Sequence, residues 1–91
     1  MEYIYTAWLR DLSVSTDDPD YEWPACFIIK GNNEQSCKDW GDHLAEKYAK
    51  ATKNIFLKSE IENKYKSKLT GLESLPIIEE FEEASDKKIG W

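Results

Sequence analysis

The sequence has one histidine, two cysteines and four glycines, and these low counts exclude several kinds of site. A tetrahedral metal centre needs several ligands at recognisable spacing, which His43, Cys26 and Cys37 do not provide. The glycines stand apart from one another, so the chain has no phosphate-binding glycine loop. Residues 18–22 carry alternating carboxylates, as at the start of a calcium loop, but Trp23 occupies the position of the required glycine. We therefore expect neither a metal ion nor a cofactor.

Long apolar runs are also absent, and none approaches the roughly 18 residues of a membrane-spanning helix. The first eleven residues, MEYIYTAWLRD, lack the basic region and cleavage site of a signal peptide. We expect residues 1–91 to form one small domain in the cytoplasm, without membrane attachment. Cys26 and Cys37 are then expected to be free thiols. A single bridge is the alternative if the helix carrying Cys37 packs over the strand carrying Cys26.

The net charge of −6 is divided into blocks along the chain. Residues 1–46 carry ten acidic side chains against three basic ones, residues 47–68 carry seven lysines against two glutamates, and residues 69–91 carry six acids against two lysines. Such blocks either form solvated faces of the fold or bind partners of opposite charge. Direct binding of nucleic acid is not expected, because the pI is about 4.7 and clustered arginines are absent.

Aromatic and β-branched side chains in residues 2–11 predict a first strand. Because side chains alternate along a strand, its two faces carry different sets. These sets are Tyr3, Tyr5, Ala7 and Leu9 on one face, and Ile4, Thr6, Trp8 and Arg10 on the other. Residues 13–24 are rich in turn-forming Ser, Asp and Pro, and residues 24–31 predict a second strand that completes a β-hairpin.

Residues 33–52 predict the main amphipathic helix. Apolar side chains recur at positions 37, 40, 44, 48 and 51, which is the spacing of one helix face. Asn32 and Gln35 have the spacing of a capping box at its start, and lysines cluster near its C-terminal end.

The C-terminal part of the chain allows more than one interpretation. Residues 54–59 predict a third strand, with Ile55 and Leu57 facing inward. Residues 60–69 favour a short second helix, since apolar side chains recur every four residues, but the strand could instead continue to residue 63. Alternation in residues 75–83 is compatible with a fourth, edge strand. Ile89 and Trp91 are expected to dock on an apolar surface.

These elements predict an α+β fold. A three- or four-stranded, mainly antiparallel sheet, in β-β-α-β order, packs on one main helix, and a second short helix is possible. Both faces of the first two strands are largely apolar, whereas one helix covers only one face. The other face is covered by the second helix, by the C-terminal segment or by a second copy of the chain, and we expect a homodimer.

Two surfaces are candidate sites. His43 lies four residues after Asp39 and could act as a general base oriented by that carboxylate, although the motifs of known nucleophiles are absent and a solvated helix face is the simpler interpretation. The segment between the first two strands is the second candidate. Its aromatic side chains are suited to anchoring a partner, and its carboxylates to attracting a basic one. The predicted binding residues there are Asp17, Asp18, Asp20, Tyr21, Glu22 and Trp23.

The favoured function is therefore non-enzymatic. We expect a small acidic module that binds another protein, with a basic protein as the candidate partner. Inhibitor or immunity roles are left open because an acidic protein can imitate nucleic acid. The alternative is a small-ligand-binding or catalytic homodimer. Its aromatic pocket would be walled by Tyr5, Trp8 and Trp40, with His43 and Asp39 at its rim.

Overall fold

The computed structural model describes residues 1–67 and 71–91 as a four-stranded sheet covered by one long helix. The elements are β1 (Glu2–Asp11), β2 (Glu22–Lys30), α1 (Glu34–Ala51), β3 (Asn54–Asn63), β4 (Ile77–Glu79) and α2 (Asp86–Ile89). In spatial order the strands are β3-β1-β2-β4. The predicted α+β class and β-β-α-β order are confirmed, and the sheet has the larger of the two predicted strand numbers.

The sheet is mixed, because its last strand runs parallel to a neighbour. β1 pairs antiparallel with β2 and with β3, so the expected hairpin is present. β4 pairs parallel with β2, with Ile78 beside Ile29. β3 and β4 therefore lie at opposite edges of the sheet, with β1 and β2 between them.

The main core lies between α1 and the sheet. The first face of β1 and the matching face of β2 supply most of it, as the alternation predicts. Cys37, Leu44 and Ala45 of α1 close this core from above, and Ile78 and Ile89 fill its far side. Trp91 packs on the same core, edge-on to Phe27 and stacked on Tyr48, so the expected docking of Ile89 and Trp91 is confirmed.

The second face of the sheet, directed away from α1, is also partly buried. Ile4 and Ile28 lie on this face, and their exposed fractions are 2% and 0%. Much of the apolar surface that suggested a homodimer is therefore already covered within one chain.

The predictions for β3 need two corrections. The favoured helix over residues 60–69 is wrong where the structure describes it, because the strand continues to Asn63 and a single 3-10 turn follows at Lys64–Lys66; residues 68 and 69 lie outside the described residues. The inward assignment of Ile55 and Leu57 is also wrong. A bulge at Leu57 shifts the pairing, so Phe56 contacts the core while Ile55 and Leu57 are 43% and 37% exposed.

The helix predictions were correct in extent and needed adjustment at the ends. α1 begins one residue later than predicted, and Asn33 caps it by accepting a 3.0 Å hydrogen bond from the Ser36 amide, in place of the predicted Asn32–Gln35 box. The second short helix is α2, which was not assigned from sequence.

Both cysteines are free thiols, as expected. Cys26 lies in β2 and accepts a weak hydrogen bond from the Thr6 hydroxyl on the second face, whereas Cys37 is buried on the sheet-facing side of α1.

Candidate functional site

The acidic segment between β1 and β2 folds into successive turns. The Asp18 amide donates to the Ser15 carbonyl, the Tyr21 amide donates to the Asp18 carbonyl, and the Asp18 carboxylate accepts from the Asp20 amide. Asp17, Asp18 and Asp20 are exposed, and no lysine or arginine within residues 1–67 or 71–91 forms a salt bridge with them. The carboxylates are therefore free to act on an approaching charge.

The aromatic residues of this segment are engaged within the fold. Trp23 packs with Leu9 and Ala25, meets the ring of Tyr48 edge-on at 6.2 Å, and donates a 3.1 Å hydrogen bond to Asn54. Its role in the structure is thus to close one end of the core, which leaves it poorly placed as an anchor for a partner.

Tyr21 and Glu22 both engage the same arginine. The Arg10 guanidinium lies 5.3 Å from the Tyr21 ring centre and forms a 2.8 Å ion pair with Glu22. Of the six predicted binding residues, the three aspartates alone are both exposed and without a charged or aromatic partner in the described chain.

The proposed pairing of His43 with Asp39 is not formed. Asp39 accepts a 2.9 Å hydrogen bond from Gln35, whereas His43 stacks on Trp40 and has its Nε2 atom 3.8 Å from Glu83. The His43 side chain is 52% exposed. His43 therefore faces the carboxylate of Glu83 and not that of Asp39.

The three aromatic residues proposed to wall a pocket lie in different places. Tyr5 is fully buried under α1, Trp8 lies on the second face with Lys58 over its ring, and Trp40 lies on the flank of α1. Trp8 lines an open groove of about 410 Å³ together with Leu57 and Lys58, and neither Tyr5 nor Trp40 is among the lining residues. The structure therefore does not bring the three aromatic residues together.

A polar cluster that the sequence analysis did not assign ties α1 to the sheet. Asp42 Oδ1 accepts hydrogen bonds from the hydroxyls of Tyr5, at 2.7 Å, and Ser59, while Oδ2 pairs with Lys38 at 3.2 Å. Burial, together with the Asp42 carboxylate, raises the pKa of Tyr5 far above its ordinary value, so its hydroxyl remains a donor. The carboxylate has three partners inside the fold, which is typical of a structural anchor.

The most exposed aromatic residue of an acidic stretch is Phe81, in the turn that follows β4. We define the Phe81 turn as residues 79–83, sequence EEFEE. Phe81 is 70% exposed and has a φ of +68°, a backbone conformation that non-glycine residues seldom adopt. Hydrogen bonds on both sides hold this conformation, since the Glu80 amide donates to Lys30 at 2.8 Å and the Glu82 amide to Glu79 at 3.0 Å.

Trp40 supports the Phe81 ring from beneath. The two ring centres are 5.6 Å apart with an interplanar angle of 62°, and the Trp40 indole donates a 3.0 Å hydrogen bond to the Glu82 carbonyl. The His43 ring stacks on the Trp40 ring, with ring centres 4.8 Å apart. Phe81, Trp40 and His43 thus form a continuous aromatic surface at the edge of α1.

Of the four glutamates around this surface, two lie close to lysines and two form no salt bridge within the described residues. Lys88 pairs with Glu82 and lowers its pKa, and Lys47 lies 3.3 Å from Glu83. Glu79 and Glu80 form no salt bridge with any lysine or arginine of the described chain. Glu80 instead accepts a hydrogen bond from the Cys37 thiol at 3.5 Å. The turn therefore keeps a negative surplus beside its exposed ring.

The Phe81 turn and the aspartates of the acidic segment mark opposite ends of the sheet. The acidic segment precedes β2, whereas the Phe81 turn lies beside the last residue of β2. There the backbone of Lys30 in β2 is aligned with that of Glu79 in β4. At about 3.3 Å per residue, nine residues of strand separate them by roughly 30 Å. Sequence analysis missed the turn because its alternating pattern resembles an edge strand.

Comparisons with known proteins do not assign a function. No match to this chain was found among models of known protein families, curated proteins or solved structures. Within residues 1–67 and 71–91, no helix has the length and apolar composition needed to cross a membrane. The same residues bring together no group of three His, Cys, Asp or Glu side chains that could hold a metal ion.

Proposed function

We propose that this protein is a non-enzymatic binding module that recognises a basic segment of another protein through the Phe81 turn. The observation that carries the proposal is an aromatic ring, 70% exposed, held in a costly backbone conformation between four glutamates. A non-glycine residue with positive φ costs roughly 1–2 kcal/mol, and such residues concentrate at functional positions.

The chemistry of the turn defines the partner. Phe81 supplies the apolar contact that anchors a binding interface, and Trp40 limits the motion of its ring. Glu79 and Glu80, which have no cationic partner in the described chain, favour lysine or arginine beside the apolar residue of the partner. We therefore infer a segment in which basic residues flank one apolar side chain.

Asp17, Asp18 and Asp20 contribute at longer range. They lie roughly 30 Å from the Phe81 turn, about three Debye lengths at 0.1 M salt, so they act on a separate part of a large partner and not on the same peptide. Charge of this kind accelerates encounter more than it slows dissociation. An extended basic partner, such as a nucleic-acid-binding protein, would meet both surfaces, which keeps an inhibitor or immunity role within the proposal.

The test titrates ¹⁵N-labelled protein with short peptides in which lysines flank a central leucine. We expect chemical-shift changes at residues 79–83 and at the Trp40 indole N–H, and weaker binding as salt is added. Peptides with glutamate in place of lysine should produce no such changes. Phe81→Ala and Glu79→Lys should each weaken binding by about tenfold or more.

Two matched variants control for general effects. Tyr65→Ala removes an aromatic residue that is 77% exposed, and Glu73→Lys reverses an exposed charge, both outside the turn. Binding that Tyr65→Ala weakens as much as Phe81→Ala, or shifts that spare residues 79–83, would contradict the proposed surface.

We place this activity in the cytoplasm, a reducing compartment in which the free thiols of Cys26 and Cys37 persist. We also retain the homodimer as part of the proposed function. The catalytic alternative gains no support, because His43 and Asp39 do not meet and Tyr5, Trp8 and Trp40 are separated.

A further inference from the structure

Within residues 1–67 and 71–91, β3 has a long edge without a strand partner. The strand has ten residues and pairs with β1 on one side, and no backbone hydrogen bond from the described residues reaches its outer side between residues 55 and 63. Ile55 and Leu57 leave 43% and 37% of their surface exposed in this strand. An edge of this length is a template for pairing with another strand.

The charged side chains on one face of β3 change sign once along the strand, from one lysine to two glutamates. Lys58 lies over Trp8 on the second face, and Glu60 and Glu62 line the same face beside Ile4. A lysine on an edge strand and a bulge, here at Leu57, are features that discourage indiscriminate pairing. An incoming strand therefore has to match this particular charge pattern.

A second copy of β3 matches this charge pattern best in one register. A two-fold axis relates antiparallel copies of one strand, so each register centres on a pair of identical residues. With Ser59 at the centre, Lys58 of each copy lies opposite Glu60 of the other, which gives two cross-strand ion pairs. The same register places exposed Leu57 opposite Ile61 of the second copy.

Neighbouring registers bring like charges together. Centring on Lys58 places it opposite Lys58, and centring on Ile61 places Glu60 opposite Glu62 in both directions. Centring on Glu60 pairs Lys58 with Glu62 twice, but it also places Glu60 directly opposite Glu60, a like-charge contact that the Ser59 register avoids. A centre at Leu57 falls on the bulge. Like charges directly opposite one another destabilise a strand pair, so the sequence of β3 disfavours these alternatives.

We propose that the protein forms a homodimer by antiparallel pairing of β3 with β3 of a second copy, centred on Ser59, which extends two four-stranded sheets into one of eight strands. The inference specifies the interface of the homodimer retained above and does not depend on the Phe81 turn. β4 lies at the opposite edge of the sheet, so each copy keeps its Phe81 turn free.

Sedimentation velocity over a range of protein concentrations tests the proposal. We expect the wild-type protein to sediment as a dimer and both Lys58→Glu and Glu60→Lys to shift it toward monomer, weakening dimerisation by roughly tenfold or more. The double variant Lys58→Glu/Glu60→Lys restores opposite charges across the axis and should recover the dimer. Lys50→Glu, an exposed charge reversal on α1, is the matched control.

Three outcomes would overturn the interface. The first is a wild-type protein that remains monomeric at about 1 mM. The second is a dimer that Lys58→Glu leaves intact, and the third is a double variant no closer to dimer than either single one. Far-ultraviolet circular dichroism establishes that each variant is folded, and peptide titration of the Lys58→Glu monomer separates loss of the dimer from loss of the Phe81 surface.

Discussion

The ring of Tyr5 in β1 packs so closely against Gly41 in α1 that a Cβ atom at position 41 would lie 2.5 Å from the ring carbon Cε1. Non-bonded carbon atoms do not approach one another so closely, so the absence of a side chain at Gly41 sets how closely α1 packs on the sheet. That depth also allows Asp42, the next residue, to accept the Tyr5 hydroxyl at 2.7 Å.

Gly41→Ala should therefore destabilise the fold although alanine is the better helix former. The alanine gains about 1 kcal/mol in helix propensity, but overpacking against a fully buried ring costs typically 1–3 kcal/mol and here also displaces the Tyr5–Asp42 hydrogen bond. Urea denaturation should show a lower midpoint. Lys50→Ala, at an exposed position of the same helix, should stay within about 0.5 kcal/mol of wild type.

Asp42→Ala should lower the free energy of unfolding by about 1–3 kcal/mol, because it leaves the buried Tyr5 hydroxyl without its acceptor. In a Tyr5→Phe background the same substitution should cost less, since the hydroxyl is already gone. A double-mutant cycle measures this coupling. Equal costs in both backgrounds would show that the hydrogen bond contributes nothing to stability.

Stability should fall as the pH rises above 9. Burial and the neighbouring Glu80 carboxylate raise the pKa of Cys37 from 9.0 to about 11, so between these values the unfolded chain releases a proton that the folded chain retains. The contribution is complete below pH 9 and is lost as pH approaches 11; Tyr5, whose pKa is also raised, extends the loss to higher pH. Denaturation curves from pH 7 to 11 should show a shallower decline for Cys37→Ala.

Phe81→Gly and Phe81→Ala should distinguish the effect of the positive φ on stability from the effect of the ring on peptide binding. Both remove the ring, so both should lose the basic peptides. The glycine variant adopts the φ of +68° without penalty and should be more stable than the alanine variant by about 1 kcal/mol. Thermal denaturation of the two variants gives this difference, and a less stable glycine variant would argue against backbone cost at this position.

Patterns with strong periodicity predicted the central elements correctly. The 3.6-residue repeat of α1 and the two-residue alternation of β1 and β2 directly reflect which side chains meet the core. Alternation predicted the wrong inward-facing residues at the start of β3. The bulge at Leu57 reverses the alternation there, so Phe56 faces the core in place of its two neighbours. The parallel alignment of β4 depends on contacts distant in sequence, which local patterns do not record.

The candidate surface was harder to predict than the fold. Trp23 and Phe81 both stand among acids in the sequence, yet Trp23 closes the core while Phe81 is exposed. Their difference follows from position: Trp23 shares a sheet face with Ala25 and Phe27, under α1, whereas the positive φ of Phe81 turns it out of the strand direction. Neither fact can be read from composition.

The Phe81 turn follows the shortest strand of the sheet, and this has a consequence for how binding would be detected. β4 has three residues and hydrogen-bonds along one side to β2, with the Glu80 amide on the Lys30 carbonyl as its final link. We expect this segment to open locally more often than the hairpin and α1, and its amides to exchange with solvent sooner. A partner seated on Phe81 binds the closed form alone, so occupancy should slow exchange at Glu80 even where no contact reaches that amide.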